Sequence, residues 1–461
     1  MYRHGDTIAA IATPVGAGGI GIIKISGPRA EDIVRNIFRP RNPIDHFQSH
    51  HLYFGHIVDP ANGEVIDEVL LSVMRRPHTY TREDVAEINC HSGYIILQRI
   101  LSVVLACGAR LADTGEFTKR AFLNGRIDLT QAEAVMESIA ARTSRGLKLA
   151  TGQLMGGLTE RVNTIKNGLL DALAVLEVAI DFPEEDVEIV EAEKLAHRLE
   201  GEVVKPIRAL LASYEQGRVY REGVTVAIMG RPNVGKSSLL NALLEEERAI
   251  VTAIPGTTRD IIEELLNVQG IPVKIIDTAG LREARDEIEG IGIKLTRKRI
   301  AGADLLLFVI DGSADLSPED YEIYKDIQGR VFIVVVNKMD LGIKLDTERL
   351  REFFGPRDLV VISALRGTNL GKLKEAVFSA VVGGAADMPD TAIIPNARQY
   401  AALAQALPFL GQARENLLKG ITPDIVAIDI QEALDRLGEI TGQSTPEDVL
   451  DRIFSQFCIG K

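Results

Sequence analysis

The run Gly230-Arg231-Pro232-Asn233-Val234-Gly235-Lys236-Ser237 has the spacing G-x-x-x-x-G-K-[ST], and those residue types in that order suit a polyphosphate. The glycines let backbone N–H groups turn toward anionic oxygens, and a following helix adds its positive dipole end. Lys236 reaches the β- and γ-phosphates, and the Ser237 hydroxyl ligates Mg²⁺. The flanks are the ones this chemistry requires: the apolar run 224–229 predicts a buried strand, and 238–244 predicts a helix.

Later strand ends carry matching signals, as expected where ligands bind at the carboxyl edge of a parallel sheet. A strand over 273–276 leads into Asp277-Thr278-Ala279-Gly280, whose aspartate can hold Mg²⁺ through water and whose Gly280 N–H can sense the γ-phosphate. A strand over 331–336 leads into Asn337-Lys338-Met339-Asp340. The Asp340 carboxylate can accept from both N1–H and the 2-amino group of guanine, a donor pair adenine lacks, so the nucleotide is GTP. A strand over 359–362 leads into Ser363-Ala364-Leu365, a backbone contact for the base oxygen. These motifs in this order resemble the Ras-like GTPases. Two departures bear on mechanism. Leu281 stands where those enzymes carry a water-orienting glutamine, and the acids Glu283, Asp286, Glu287 and Glu289 follow it. Asn233 offers a side-chain carbonyl beside the phosphates: it either ligates a monovalent cation that replaces an arginine finger, or it only braces the loop.

Strands alternating with helices over 222–380 predict the doubly wound α/β layout that would position these groups, with β-branched runs at 305–310 and 331–336 buried on both faces. Residues 1–118 mix strands (20–26, 69–74, 84–89) with helices (29–38, 94–107) and predict an α+β domain. The glycine-rich run 13–19 lacks a Lys-Ser ending and precedes its strand, so it reads as a turn. Residues 119–221 are helical, with spans over 128–141, 147–180 and 190–216, and 381–461 turn helical again. Helix before and helix after point to one helical domain with the nucleotide domain inserted; two unrelated helical domains are the alternative. The acidic run 181–186, broken by Pro183, reads as a solvated loop rather than a metal site.

Composition sets outer bounds. The chain has 461 residues, 46% hydrophobic and 25% charged, which is ordinary globular usage. A net charge of −13 argues against broad nucleic-acid binding, although a local basic face is compatible with it. Three cysteines (Cys90, Cys107, Cys458) are too few for a disulfide framework. The absence of an apolar leader or of a long apolar run predicts a cytoplasmic protein off the membrane. The ending Cys458-Ile459-Gly460-Lys461 has C-a-a-X spacing but ill-suited residues for prenylation.

Thr252-Ala253-Ile254-Pro255-Gly256-Thr257-Thr258-Arg259-Asp260, Asp277-Thr278-Ala279-Gly280-Leu281-Arg282, the run from Phe117 to Arg126, Ala179-Ile180-Asp181-Phe182-Pro183 and the ending Phe457-Cys458-Ile459-Gly460-Lys461 together resemble the MnmE (TrmE) family of tRNA-modification GTPases over essentially the whole length. That resemblance implies a homodimer joined through N-terminal folate-binding-like domains, whose G domains meet when GTP and K⁺ bind. Nucleotide contacts would come from Asn233-Val234-Gly235-Lys236-Ser237-Ser238, Thr252-Ala253-Ile254-Pro255-Gly256-Thr257-Thr258, Asp277-Thr278-Ala279-Gly280, Asn337, Lys338, Asp340 and Ser363-Ala364-Leu365. Asn233, Thr252, Ile254 and Thr257 would surround K⁺; Ser237 and Thr258 would hold Mg²⁺; Glu289, Lys236 and Thr258 would act in catalysis. A 5-formyltetrahydrofolate would meet Lys24, Glu87, Arg126 and Lys461. Cys458 would lie near the one-carbon unit, either as a thiol activated beside Lys461 or as a packed residue. His91 reads as a turn or supporting residue rather than a metal ligand. With a flavin-dependent partner, the implied reaction adds an aminomethyl-type (carboxymethylaminomethyl) group at C5 of the wobble uridine of certain tRNAs. A ribosome-assembly GTPase would need an RNA-binding appendage and a membrane-fission GTPase an apolar tip; neither is legible.

Overall fold

The computed structural model describes residues 5–14, 16, 18–182, 191–246, 264–277, 302–355, 358–383 and 392–460. The N-terminal domain runs β1 (Ile8–Ile11), β2 (Ile20–Ser26), α1 (Ala30–Ile37), β3 (Phe38–Pro40), β4 (His51–Val58), β5 (Val65–Met74), β6 (Val85–His91), α2 (Tyr94–Ala106), β7 (Arg110–Leu111) and α3 (Glu116–Leu123). Its sheet has the order β3-β4-β5-β6-β2-β1-β7 and is antiparallel except where β1 meets β7. Alternation along the strands sends Ile23, Ile25, Leu71, Val73 and Ile88 into a core shared with Ile33, Ile37, Ile100 and Val104 of α1 and α2. The same alternation turns Lys24, Glu87 and Ser72 to the other face, where the register pairs Lys24 with Glu87 and Ser72 with Glu87.

Sequence periodicity located β2, β6, α1 and α2 closely and missed β1, β3, β4, β7 and β9. β4 (His-Leu-Tyr-Phe-Gly-His-Ile-Val) hides its pattern because Leu52 and Phe54 lie exposed on the outward face. The boundary drawn at 118 falls inside α3.

The helical part begins with α4 (Leu129–Ala140), α5 (Ser144–Leu154), α6 (Gly157–Asp181), α7 (Ala192–Arg198) and α8 (Lys205–Glu222), the last two joined by a π-helical turn over Leu199–Val204. The continuous helix expected over 147–180 is divided at Gly156, whose φ of +89° leaves the right-handed helical region. After α8 come β8 (Val224–Met229), α9 (Lys236–Glu246), β9 (Glu264–Val268), β10 (Ile271–Asp277), β11 (Leu305–Asp311), α10 (Pro318–Ile327), β12 (Phe332–Asn337), α11 (Thr347–Phe354), β13 (Leu359–Val361) and α12 (Leu370–Val382). Their sheet, β13-β12-β11-β8-β10-β9, is parallel apart from β9. The chain then returns through α13 (Ala397–Leu418), α14 (Pro423–Thr441) and α15 (Glu447–Phe454).

Leu158, Val162, Ile165 and Leu169 of α6 share one core with Leu403 and Leu410 of α13 and Val426, Ile430 and Leu437 of α14. The two helical stretches are therefore one domain, into which the α/β domain is inserted. Truncating one of these, Leu169→Ala, costs about 2–5 kcal/mol. Among the described residues no helix is long and apolar enough to cross a membrane.

Candidate nucleotide and one-carbon sites

The G-domain site forms at the carboxyl edge of β8, β10, β11 and β12, where the strand order reverses about β8, the position at which open parallel sheets bind ligands. The phosphate loop leaves β8 through Gly230 at φ +153°, passes Asn233 at φ +63° and Gly235 at φ +95°, and enters α9 at Lys236. A Cβ at Gly230 would sit 2.3 Å from the Val309 carbonyl oxygen, and one at Gly235 would sit 2.3 Å from Asn337 Nδ2. Only glycine lets the loop lie this close to its neighbours. Lys236 Nζ donates to the Arg231 carbonyl at 2.9 Å, so the ammonium folds back over the loop's own arch. Asn233, Ser237 and Ser238 are exposed at its mouth, and Val234 is buried beneath.

One side chain ties the runs that end β12 and follow β13 to this loop. Asn337 donates from Nδ2 to the Val234 carbonyl at 2.8 Å and accepts at Oδ1 from Ala364 N at 3.0 Å. Lys338, held at φ +67°, pairs with Asp311 at 2.7 Å. Burial raises the Asp311 pKa, but hydrogen bonds from Lys338 and Ser313 outweigh it and hold the carboxyl below its ordinary 3.8. Asp311 closes β11, a strand end to which the sequence reading gave no role; its position on the same edge as Asp277 and Asn337 was the available signal. Ser363 Oγ donates to Asp340 Oδ1 at 2.6 Å, which lowers the Asp340 pKa and fixes a half-buried carboxylate in one orientation. Leu365 is exposed, whereas Ser363 and Ala364 are buried. The structure thus brings the phosphate loop, Asn337, Lys338, Asp340 and Ser363-Ala364-Leu365 to one edge, with Asp277 ending β10 there. Thr252, Ala253, Ile254, Pro255, Gly256, Thr257, Thr258, Thr278, Ala279, Gly280 and Glu289 lie outside the described residues. The residues present fit a guanine nucleotide: glycine-lined backbone for phosphate, a serine for Mg²⁺, and an oriented anionic acceptor for the base.

A second cluster sits on the outward face of the N-terminal sheet. Lys24 Nζ lies 3.5 Å from Glu87 Oε1, 5.4 Å from the centre of the Tyr80 ring and 5.7 Å from that of Phe117. Arg126 stacks its guanidinium 4.6 Å from the same Tyr80 ring, so one aromatic ring joins the two cations. The Tyr80 hydroxyl pairs with Thr118 Oγ1 at 2.9 Å. Tyr80, Phe117 and Thr118 were not singled out in sequence, since no period marks them. Beneath lies Arg120, 1% exposed, bonded to Asp6, Glu83 and Glu116. Burial raises the Asp6 and Glu116 pKa values, but arginine hydrogen bonds outweigh it and keep both carboxyls below their ordinary values.

The C-terminal tail docks on this domain. Ile459 pairs with Thr114, Gly115 N donates to the Cys458 carbonyl at 3.4 Å, and a Cβ at Gly460 would meet the Ile11 carbonyl oxygen at 2.6 Å. Cys458 is exposed rather than packed. Lys461 lies outside the described residues. His91 pairs with Asp67, Nδ1 to Oδ1 at 2.7 Å, and that hydrogen bond raises its pKa; it is a strand-end partner of an acid.

A phosphate loop, an aspartate oriented by Ser363 at the same sheet edge and the strand order define the class: a Ras-like P-loop GTPase that hydrolyses GTP. Comparison with known proteins narrows it. A family model described as the MnmE helical domain matches residues 129–458, and one described as the GTP-binding protein TrmE N-terminus matches 7–126. The chain is 46% identical over 456 residues to the tRNA modification GTPase MnmE of Natranaerobius thermophilus, covering 99% of each. It is 47% identical over 464 residues to that of Desulfotalea psychrophila, covering 100% of this chain and 99% of the other. Among solved structures, the FeoB G-domain from Methanococcus jannaschii is 27% identical, with 34% of this chain and 97% of that one covered and a TM-score of 0.26. The chain belongs to the MnmE family of tRNA-modification GTPases.

Proposed function

We propose that this GTPase is K⁺-dependent and that, with a flavin-dependent partner, it installs a carboxymethylaminomethyl-type group at C5 of the wobble uridine of certain tRNAs in the cytoplasm. The one-carbon unit comes from 5-formyltetrahydrofolate. The observation that carries the reading is the convergence of Lys24, Glu87 and Arg126 around Tyr80, with the tail bearing Cys458 docked on the same domain. An acid for ring N–H groups, two cations for a glutamate tail and an aromatic face for a pterin suit a folate, with Lys461 as the fourth group. On the G-domain side Ser237 and Thr258 hold Mg²⁺, Asn233, Thr252, Ile254 and Thr257 hold K⁺, and Glu289 positions water, so that G domains of a homodimer pair face to face. Exposed Leu52, Phe54 and Leu70 on the sheet's outward face support dimerisation through the N-terminal domains. The domain limits are placed near 118, 221 and 380, with the first moved past the end of α3 at Leu123.

GTP hydrolysis in K⁺ and in Na⁺, with self-association followed in parallel, tests this. Hydrolysis strongly favoured by K⁺ with nucleotide-driven association is expected. Equal rates in both salts without association return a switch GTPase that does no chemistry on RNA.

A further inference from the structure

The hairpin β9–β10 joins two runs of the nucleotide site: by sequence β9 follows residues 252–260, and β10 ends at Asp277. Its far end is a two-residue turn, Gln269 at φ +50° and Gly270 at φ +90°, the left-handed pair that matches the twist of a tight hairpin. That turn rests on the helical domain. Thr143 Oγ1 donates to the Gly270 carbonyl at 2.9 Å while accepting from Gly146 N at 3.0 Å as the N-cap of α5. Arg145, on the first turn of α5, crowds Gly270 and stacks 4.0 Å from the centre of the Tyr220 ring. Leu149 of α5 and Tyr220 of α8 belong to the same buried core as Val268, Ile271 and Val273 of the hairpin. The seat is therefore packed and hydrogen-bonded.

Beside it the packing gives way to a cavity of about 910 Å³, with Leu265 and Pro272 of the hairpin on one wall and Glu137 and Arg221 of the helical domain on another. Arg452 and Phe457, on and just after α15, complete it, and α15 leads to the tail docked on the N-terminal domain. Arg221 also fixes the chain where it returns from the G domain, donating to the Ile394 carbonyl at 2.5 Å. Packed interfaces shift between discrete arrangements rather than deforming smoothly, and here a packed seat borders a cavity into which neighbouring side chains can move.

We propose that Thr143 is a positioning residue: the pivot through which the β9–β10 hairpin carries the nucleotide state of the G domain to α4 and α5 and, across the cavity, to α15. It touches neither nucleotide nor one-carbon donor and acts through the Gly270 carbonyl alone.

The test separates the pivot from the helix cap. Thr143→Asp keeps an oxygen that accepts from Gly146 N, and aspartate is a favoured N-cap. Its carboxylate has no proton to give the Gly270 carbonyl. Thr143→Ser keeps both bonds. Hydrogen–deuterium exchange of the full chain is compared with GDP and with a non-hydrolysable GTP analogue. The expected result is a nucleotide-dependent change over 129–154 in the parent chain and in Thr143→Ser. In Thr143→Asp that change is lost, while the response at 230–238 is retained. No change over 129–154 in the parent, its survival in Thr143→Asp, its loss in Thr143→Ser, or loss of the 230–238 response in Thr143→Asp would each overturn the assignment.

Discussion

The two sites of this chain are assembled by opposite means. In the G domain, parallel strands deliver their carboxyl ends to one edge, so short contiguous runs meet whatever the side chains between them are, and Asn337 ties three of the runs together. In the N-terminal domain the groups come from the middle of antiparallel strands, from a loop, from the first turn of α3 and from the turn that follows it. Lys24 faces Glu87 only because β2 and β6 pair in that register. A slip of one residue between them would turn Lys24 into the core and leave Glu87 on the opposite face. The nucleotide site is thus guaranteed by topology, the other by register and by the charges beneath it.

The largest predicted effect attacks those charges. Arg120→Met leaves Asp6, Glu83 and Glu116 without their common buried partner, which costs about 3–5 kcal/mol. A melt resolving the domains should show the N-terminal transition falling alone, folate binding lost and GTP hydrolysis kept. A G-domain transition that falls with it would mean the two sites are not independent.

Next comes Asp340→Asn. Two charge-assisted hydrogen bonds to guanine are replaced by one neutral acceptor and a mismatched donor, weakening GTP by roughly 100-fold (about 3 kcal/mol). Xanthosine triphosphate, which presents a carbonyl in place of the 2-amino group, should regain most of that loss in nucleotide titrations. Unchanged GTP affinity would remove Asp340 from base reading.

This contrast also explains what was legible in the sequence. The phosphate loop and Asn337-Lys338-Met339-Asp340 could be read because their chemistry is contiguous, and β11 and β12 because strands buried on both faces are continuously apolar. Lys24, Glu87 and Arg126 became visible only through family resemblance, and Tyr80, which joins them, was not seen at all. β4 and β9 were missed since an outward apolar face and a short hairpin strand break the alternation. Thr143 was not singled out at all, because the hydrogen bond that distinguishes it crosses to a domain far along the chain.

A smaller effect is expected at Glu87→Gln, which keeps the shape and removes the charge facing Lys24. Folate should bind about tenfold more weakly, the scale of one charge-assisted hydrogen bond, with GTP hydrolysis unaltered. If hydrolysis changed instead, the cluster would be serving the G domain.

The smallest effect compares the N-terminal domain with the helical domain through pH. Asp6 and Glu116 have folded-state pKa values below their ordinary 3.8 and 4.5, so their contribution is fully present above about pH 4.5 and is lost as pH falls through the lowered values. Glu137 is the reverse. Burial raises its pKa above 4.5, Arg221 opposes the rise, and the neighbouring charge of Glu133 adds to it. Its contribution is therefore present below pH 4.5 and declines as pH rises through the raised value. Lowering the pH of a melting series from neutral should weaken the N-terminal transition while slightly strengthening that of the helical domain. Glu116→Gln should flatten the first trend and Glu137→Gln the second, each leaving the other in place. Trends that move together, or that one substitution flattens at once, would show that the tail docked at Thr114 and Gly115 couples the two domains strongly enough for them to unfold as one.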